Sequence, residues 1–343
     1  MADRQFSISN HLDRLHDETP HALAFDLHRT ADFPQWQAAV RAKLRELFRI
    51  DGREVPDIPD AEQLERIERD GYAQVKWSLD VGEGVRAPVF VLVPDTPPPH
   101  KPVMVFHGHN PSVQYILGNY PDEEIARSHI AKDNNYAQAL AQAGYLVCAV
   151  EQRGFGEREV PNDPHRGDRL NSCRHVAFHY MALGRSLVGE RCWDGMCAIS
   201  FLRSRYDLSG DTLGCTGNSG GGTTTLFLSA LDDRVTCPVV GSHFSSYRAS
   251  ALGHRHCECN YIPDFLRWFE LGDVAAAIAP RPLRCINGEH DALFAIDAAR
   301  EQFQIVERAY GLLGASERAD LAVHPEGHRY RHDFAREWFD RWL

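Results

Sequence analysis

Thr212-Leu213-Gly214-Cys215-Thr216-Gly217-Asn218-Ser219-Gly220-Gly221-Gly222-Thr223 is the stretch on which the reading of this chain turns. A short strand-like run, Thr212 to Thr216, enters the pentapeptide Gly217-Asn218-Ser219-Gly220-Gly221, and a helix-like run from Thr223 to Ala230 leaves it. A GxSxG sequence between a strand and a helix holds its serine on a strained turn that lifts the hydroxyl above the sheet. Glycine two residues before and two after removes the side chains that would clash there. The same glycines could cradle a phosphate, but such a loop needs Lys followed by Ser or Thr after its last glycine, and Thr223-Thr224-Thr225 stands there instead. The stretch reads as a nucleophile elbow.

Composition limits what surrounds it. The chain has 343 residues, 43% of them hydrophobic, enough for a sizeable core. Its 48 acidic against 37 basic residues give a formal charge of -11, which argues against nucleic acid or an anionic membrane surface as a partner. No apolar run approaches the roughly 18 residues that a membrane span requires. The nine cysteines follow no repeating spacing, and the start Met-Ala-Asp-Arg-Gln-Phe-Ser lacks the basic and apolar pattern of a secretory signal, so reduced thiols in the cytoplasm are expected.

Working outward from the elbow, residues 1–70 are expected to form a helical extension packed on a main domain of residues 71–343. Trp36, Val40, Leu44, Leu47 and Phe48 fall on one face of a helix starting near Pro34, and the charged stretch Asp60 to Asp70 reads as a solvated connection. Tyr72 to Val93 alternates like an edge hairpin around Gly82-Glu83-Gly84. Short apolar runs at Pro102–Phe106, Tyr145–Val150, Val235–Gly241, Leu283–Ile286 and Leu321–Val323 read as strands, separated by helical stretches such as Gly184 to Arg203, an amphipathic helix in which Asp194 must face water or find a partner. This alternation indicates an α/β fold, a mostly parallel sheet with helices on both faces. Residues 243–280 interrupt it with aromatic and basic side chains and read as a cap-like insertion over the site.

A serine hydroxyl is a weak nucleophile at neutral pH and needs a base, which in turn needs an acid to fix its tautomer. Asp291 in Asn287-Gly288-Glu289-His290-Asp291 and His328 in His324-Pro325-Glu326-Gly327-His328 both follow strands, where an open parallel sheet places its ligand-facing loops. Asp291 is preferred over Glu289 and Asp297 because it sits directly after the Gly288 turn. His328 is preferred over His324 and His290 because it follows a glycine in a loop. The backbone amides of Gly220 and of His109, in the turn His107-Gly108-His109-Asn110, are the candidate oxyanion donors. Asn110, Arg153, Asn218, Tyr247, His254 and Tyr261 are candidate substrate contacts, with Arg153 also suited to pinning its own loop. His254, His256, Cys257 and Cys259 carry ligand atoms, but no second CxxC or HxxxH completes a set, and residues one apart on a strand point to opposite sides. Neither a metal nor an organic cofactor is expected.

With these residues in hand, the chain resembles the α/β-hydrolase superfamily, in the branch that joins dienelactone hydrolase-like proteins and acetyl xylan esterase-like carbohydrate esterases. The resemblance rests on His107-Gly108-His109, Glu151-Gln152-Arg153-Gly154-Phe155-Gly156, the elbow, Ile278-Ala279-Pro280-Arg281-Pro282, Asn287–Asp291 and Gly327-His328, and spans about residues 30–343. It implies a serine carboxylic-ester hydrolase acting through an acyl-enzyme on a small acylated molecule, such as an acetylated sugar or an aryl ester. A homo-oligomer is compatible with it. A serine peptidase or amidase and an inactive binding protein are the alternatives on the same fold.

Overall fold

The computed structural model describes residues 7–27, 32–167 and 170–343. Among them nine strands form one sheet: β1 (Ala61–Arg69), β2 (Tyr72–Asp80), β3 (Arg86–Pro94), β4 (Pro102–Phe106), β5 (Leu146–Val150), β6 (Gly214–Asn218), β7 (Cys237–Gly241), β8 (Leu283–Gly288) and β9 (Ala319–His324). Their order is β1-β2-β3-β5-β4-β6-β7-β8-β9. The first three pair antiparallel, as does β3 with β5, and every pairing from β5 through β9 is parallel. The central strands β4, β5, β7 and β8 are buried throughout, β4 and β5 as apolar runs covered on both faces and β8 with Arg284 and Asn287 buried within it.

Among the described residues ten α-helices surround the sheet: α1 (Ser9–Glu18), α2 (Phe33–Leu47), α3 (Glu123–Ile130), α4 (Tyr136–Gln142), α5 (Cys173–Ala182), α6 (Leu187–Arg205), α7 (Gly220–Leu231), α8 (Leu271–Ala276), α9 (Ile296–Leu312) and α10 (His332–Trp342). Two cores result. On one face Tyr136 and Leu140 of α4 and Trp338 and Phe339 of α10 pack on Val103, Val105 and Val239. On the other, α2, α6, α7 and α9 cover Met104, Phe106 and Cys215. The helix expected near Pro34 is α2. Asp32 caps it by accepting from Gln35 N at 3.0 Å, and Trp36, Val40 and Leu44 are buried along one face. Among the described residues no helix is long and apolar enough to cross a membrane.

Two expectations are corrected. The charged stretch 60–70 is the edge strand β1, so the helical extension ends before the sheet begins at Ala61. Its side chains are mostly exposed on both faces, and an edge strand needs only one hydrogen-bonded neighbour; charge there deters edge-to-edge pairing. The segment read as an amphipathic helix is α6, buried on every side from Leu187 to Leu202. Its acidic residues satisfy burial through partners instead of solvent: Asp194 binds Arg153 Nη2 and Arg158 Nη1 at 2.7 Å each, and Glu190 meets Arg153 at 2.8 Å and Arg185 at 2.6 Å. This network ties the loop after β5 to α6.

Burial alone would raise the Asp194 pKa, yet Arg158 and Arg153 hold the carboxyl below its ordinary value. The stabilisation it brings is therefore complete above the unfolded carboxylate pKa, about 3.9, and is lost as pH falls through the lower folded value. Asp194→Asn is expected to cost about 3–5 kcal/mol at neutral pH by leaving the Arg158 guanidinium without a carboxylate partner and Arg153 with Glu190 alone. The urea midpoint of the variant against the wild type measures it, and the difference should shrink at strongly acidic pH.

Candidate active site

Ser219 occupies φ 56° and ψ -117° between β6 and α7, the strained turn that its flanking glycines foretell. A Cβ on Gly217 would lie 2.5 Å from Phe106 O, and one on Gly221 would lie 2.0 Å from the same oxygen. The two glycines let α7 press against the end of β4, and Ser219 N is held by Gly241 O of β7 at 2.8 Å. Neighbouring strands on both sides thus fix the turn.

The turn after β4 packs onto the elbow by the same means. A Cβ on Gly108 would stand 2.8 Å from Asn218 O. Buried His107 contacts Gly108 O through Nδ1 at 2.8 Å and accepts from Gln152 N through Nε2 at 3.1 Å. The Gln152 side chain donates to His107 O and accepts from Thr224 Oγ1 of α7 at 2.6 Å, bridging the turn to the helix behind the serine. Gly108, His109 and Asn110 of this turn consequently line the same cavity as Ser219, and Gly220 follows the serine at the start of α7.

Asp291 and His328 are joined by a backbone zipper. Glu289 N donates to His324 O at 2.8 Å and His290 N to Glu326 O at 3.1 Å, so the loops after β8 and β9 run side by side. Gly288 permits this, since a Cβ there would meet Gly327 O at 2.2 Å. Asp291 Oδ2 lies 2.8 Å from His328 Nδ1, while Oδ1 accepts from Leu293 N at 2.8 Å and Phe294 N at 3.2 Å. The Phe294 ring stacks on His328 at 5.7 Å. The competing residues are engaged elsewhere: Glu289 and Asp297 pair with Arg300, and His324 is buried with both ring nitrogens occupied by Glu326 and Arg329 O.

Ser219 and His328 line one cavity of about 350 Å³, together with Gly108, His109, Asn110 and Asn218. No hydrogen bond joins the serine hydroxyl to the histidine among the described residues, a separation that substrate-free sites commonly show. Burial depresses the pKa of two further histidines beside the cavity, His243 to about 3, with His256 and His328 nearby, and His256 to about 4, with His109 next to it. Both stay neutral at physiological pH.

The profile of the Abhydrolase family matches residues 3–341. The chain belongs to the Abhydrolase family. It is 27% identical over 320 residues to "Putative hydrolase YtaP" of Bacillus subtilis, covering 89% of this chain and all of that protein. Among solved structures, a "putative acetyl xylan esterase" from Bacteroides fragilis superposes with a TM-score of 0.80 at 19% identity, covering 98% of this chain and 95% of the other. A glucuronoyl esterase from Solibacter usitatus superposes at 0.67 and 13% identity, covering 96% and 100%. The order of β4 to β9 and the helices on both faces are those of the α/β-hydrolase fold.

For this Abhydrolase-family chain the expected substrate contacts divide. Asn110 and Asn218 line the cavity. Arg153 does not; it is buried in the ion network with Asp194 and Glu190 and receives the structural role. Tyr247 is buried against Asn260 O and Glu270, Tyr261 donates to Ala251 O on a separate groove, and His254 is exposed away from the cavity wall. The cap contributes Arg255, His256 and Cys257 instead, and Lys132, Leu293 and Arg329 come from loops outside it. Aromatic and basic character singled out residues 243–280 without saying which side chains face the cavity, because that depends on the turns of an irregular segment.

Gly221→Ala is expected to cost about 3 kcal/mol or more, since the new methyl meets a backbone oxygen of the central sheet and no side chain can yield. Thermal unfolding of the variant, or its loss from the soluble fraction, checks this.

Proposed function

We propose that this protein is a serine carboxylic-ester hydrolase acting on a small acylated molecule, such as an acetylated sugar or an aryl ester, through an acyl-enzyme. One observation carries the reading: an elbow serine and a histidine already paired to a buried carboxylate share a single cavity. The esterase names of structural neighbours support it. The cavity, at about 350 Å³, suits a short acyl group with a compact alcohol. Lys132, Arg255 and Arg329 on its walls favour substrates with polar or anionic substituents. No disulfide joins the cysteines among the described residues, which supports a reducing setting such as the cytoplasm.

In this reading His328 donates a hydrogen bond from its Nδ1–H to Asp291, which stays ionised, and keeps Nε2 as the base. Ser219 Oγ attacks the ester carbonyl carbon while Nε2 takes the hydroxyl proton, and the charge on the carbonyl oxygen is met by the amides of Gly220 and of the His107–Asn110 turn. The carbon–alcohol bond breaks as His328 returns that proton to the departing alkoxide. Water then repeats the sequence, giving up a proton to His328 and releasing the carboxylic acid from Ser219. Asp291 stabilises the imidazolium formed in each half.

With p-nitrophenyl acetate as substrate, Ser219→Ala is expected to abolish acyl-enzyme turnover and Asp291→Asn to lower kcat by about 10⁴-fold, both with melting temperatures near that of the wild type. Full activity in the folded Ser219→Ala protein would falsify the assignment. Mass spectrometry of a quenched reaction should find the acetyl group on Ser219.

A further inference from the structure

One cluster beside the cavity takes no part in that chemistry. Cys173 begins α5, Cys257 and Cys259 lie in the cap, and His109 stands in the turn after β4; their ligand atoms all lie within 4.8 Å of one another. Cys173 Sγ is 3.3 Å from Cys257 Sγ, and His109 Nε2 is 3.4 Å from Cys259 Sγ and 3.9 Å from Cys173 Sγ. We propose that these four side chains form a closed zinc site that clamps the cap and α5 to the turn bearing His109. The proposal is independent of the ester-hydrolase reading.

Dimensions are the first support. Zinc–sulfur bonds of about 2.3 Å and zinc–nitrogen bonds of about 2.0–2.1 Å give a tetrahedron with edges of about 3.8 Å between sulfurs and about 3.6 Å between sulfur and nitrogen. The observed separations scatter around these values. They are too long for a disulfide, whose sulfurs sit about 2.05 Å apart, and a Cys173–Cys257 bond would leave Cys259 and His109 without a purpose. Three sulfurs and one imidazole nitrogen, at a spacing that fits one ion and no multinuclear cluster, select zinc among common metals.

Charge is the second. Arg191 is 3% exposed and has no carboxylate partner among the described residues. Its Nη2 reaches Arg153 O at 2.8 Å and Cys173 Sγ at 3.2 Å, and its Nε has no hydrogen-bond partner among them. A buried guanidinium facing neutral thiols lacks compensation. Three thiolates around a divalent ion with a neutral imidazole carry one net negative charge, which Arg191 would balance from the adjoining position. Asn260 Nδ2, 3.7 Å from Cys259 Sγ, adds a donor to the sulfur shell.

Local backbone removes the objection raised by spacing. Residues 258–260 form a 3₁₀ turn and not a strand, and the Cys257 and Cys259 side chains, two positions apart, hold their sulfurs within 4.8 Å of each other and of the ligand atoms of Cys173 and His109. Gly220 makes room for the His109 ring, since a Cβ there would approach its Cε1 and Nδ1 at 3.0 Å. Four protein ligands leave no open position, so the ion is structural, holding the cavity wall without joining the reaction.

The test uses untagged full-length protein, purified without chelator and under reducing conditions. Elemental analysis should find about one zinc per chain. Cys173→Ser and Cys259→Ser should lose it, whereas Cys148→Ser and Cys285→Ser, buried in the sheet, should keep it. Because a ligand variant can fail to fold, the wild type is also stripped with a chelator and titrated with cobalt(II). It should bind one equivalent, with thiolate-to-cobalt charge transfer and the intense visible bands of a tetrahedral site, and regain the melting temperature lost on stripping. Absence of stoichiometric zinc or cobalt binding by the reduced wild type, or retention of the metal by folded Cys173→Ser, overturns the proposal. So does a Cys173–Cys257 disulfide in peptide maps of protein prepared without reductant.

Discussion

The closest contact that shapes this molecule is between backbone and backbone: Phe106 O, at the end of the central strand β4, sits against Gly217 and Gly221 with no space for a methyl group on either. Because α7 can come that near, Ser219 is held on a strained turn at the rim of the sheet, and its strain is sustained by strands on both sides. The His107–Asn110 turn follows from the same strand end, and Gln152 locks it to α7 through one carbonyl and one hydroxyl. Serine and candidate oxyanion donors are therefore one rigid unit.

Around that unit the protein uses three kinds of fastening. Backbone hydrogen bonds zip the loops after β8 and β9 so that Asp291 meets His328. Buried ion pairs secure the loop after β5: Arg153 and Arg158 reach into α6 for Asp194 and Glu190. Apolar packing fastens α2, where Phe48, just beyond its end, meets Phe227 of α7 edge to face at 5.4 Å. The proposed zinc would be a fourth kind, placed where the irregular cap offers neither a strand pairing nor a large apolar face. A loop-rich segment bordering a polar cavity is difficult to hold by hydrophobic burial alone.

Much of this was legible along the chain, and the reasons differ by element. Buried strands announced themselves because a strand covered on both faces must be apolar at every position, as Val103, Met104 and Val105 are. β1 did not, because an edge strand open on both faces carries the side chains of a solvated loop. α6 was recognisable as a helix, but its burial was not, since Glu190 and Asp194 look solvent-facing until Arg153 and Arg158 are folded against them. Asn218 could be tied to the cavity by its place in the elbow, and Asn110 by its place in the turn after β4. Tyr247, His254 and Tyr261 could not, as nothing local sets the direction of a side chain in the cap.

The sequence by itself determined the elbow, the mostly parallel sheet and the chain order of the candidate serine, acid and histidine, because each is written in short-range form: a glycine spacing, an apolar run, a glycine before a polar residue at a strand end. Tertiary structure alone decided which charges would be buried and which ligand atoms would meet. His109 and Cys259 are 150 residues apart, and Cys173 and Cys257 are 84. Contacts across such distances leave no periodicity in the chain. Only the closing of the cap over the β4 turn and α5 brings them within reach of one ion, so a cysteine pair with no evident partners along the sequence acquires two of them in the fold.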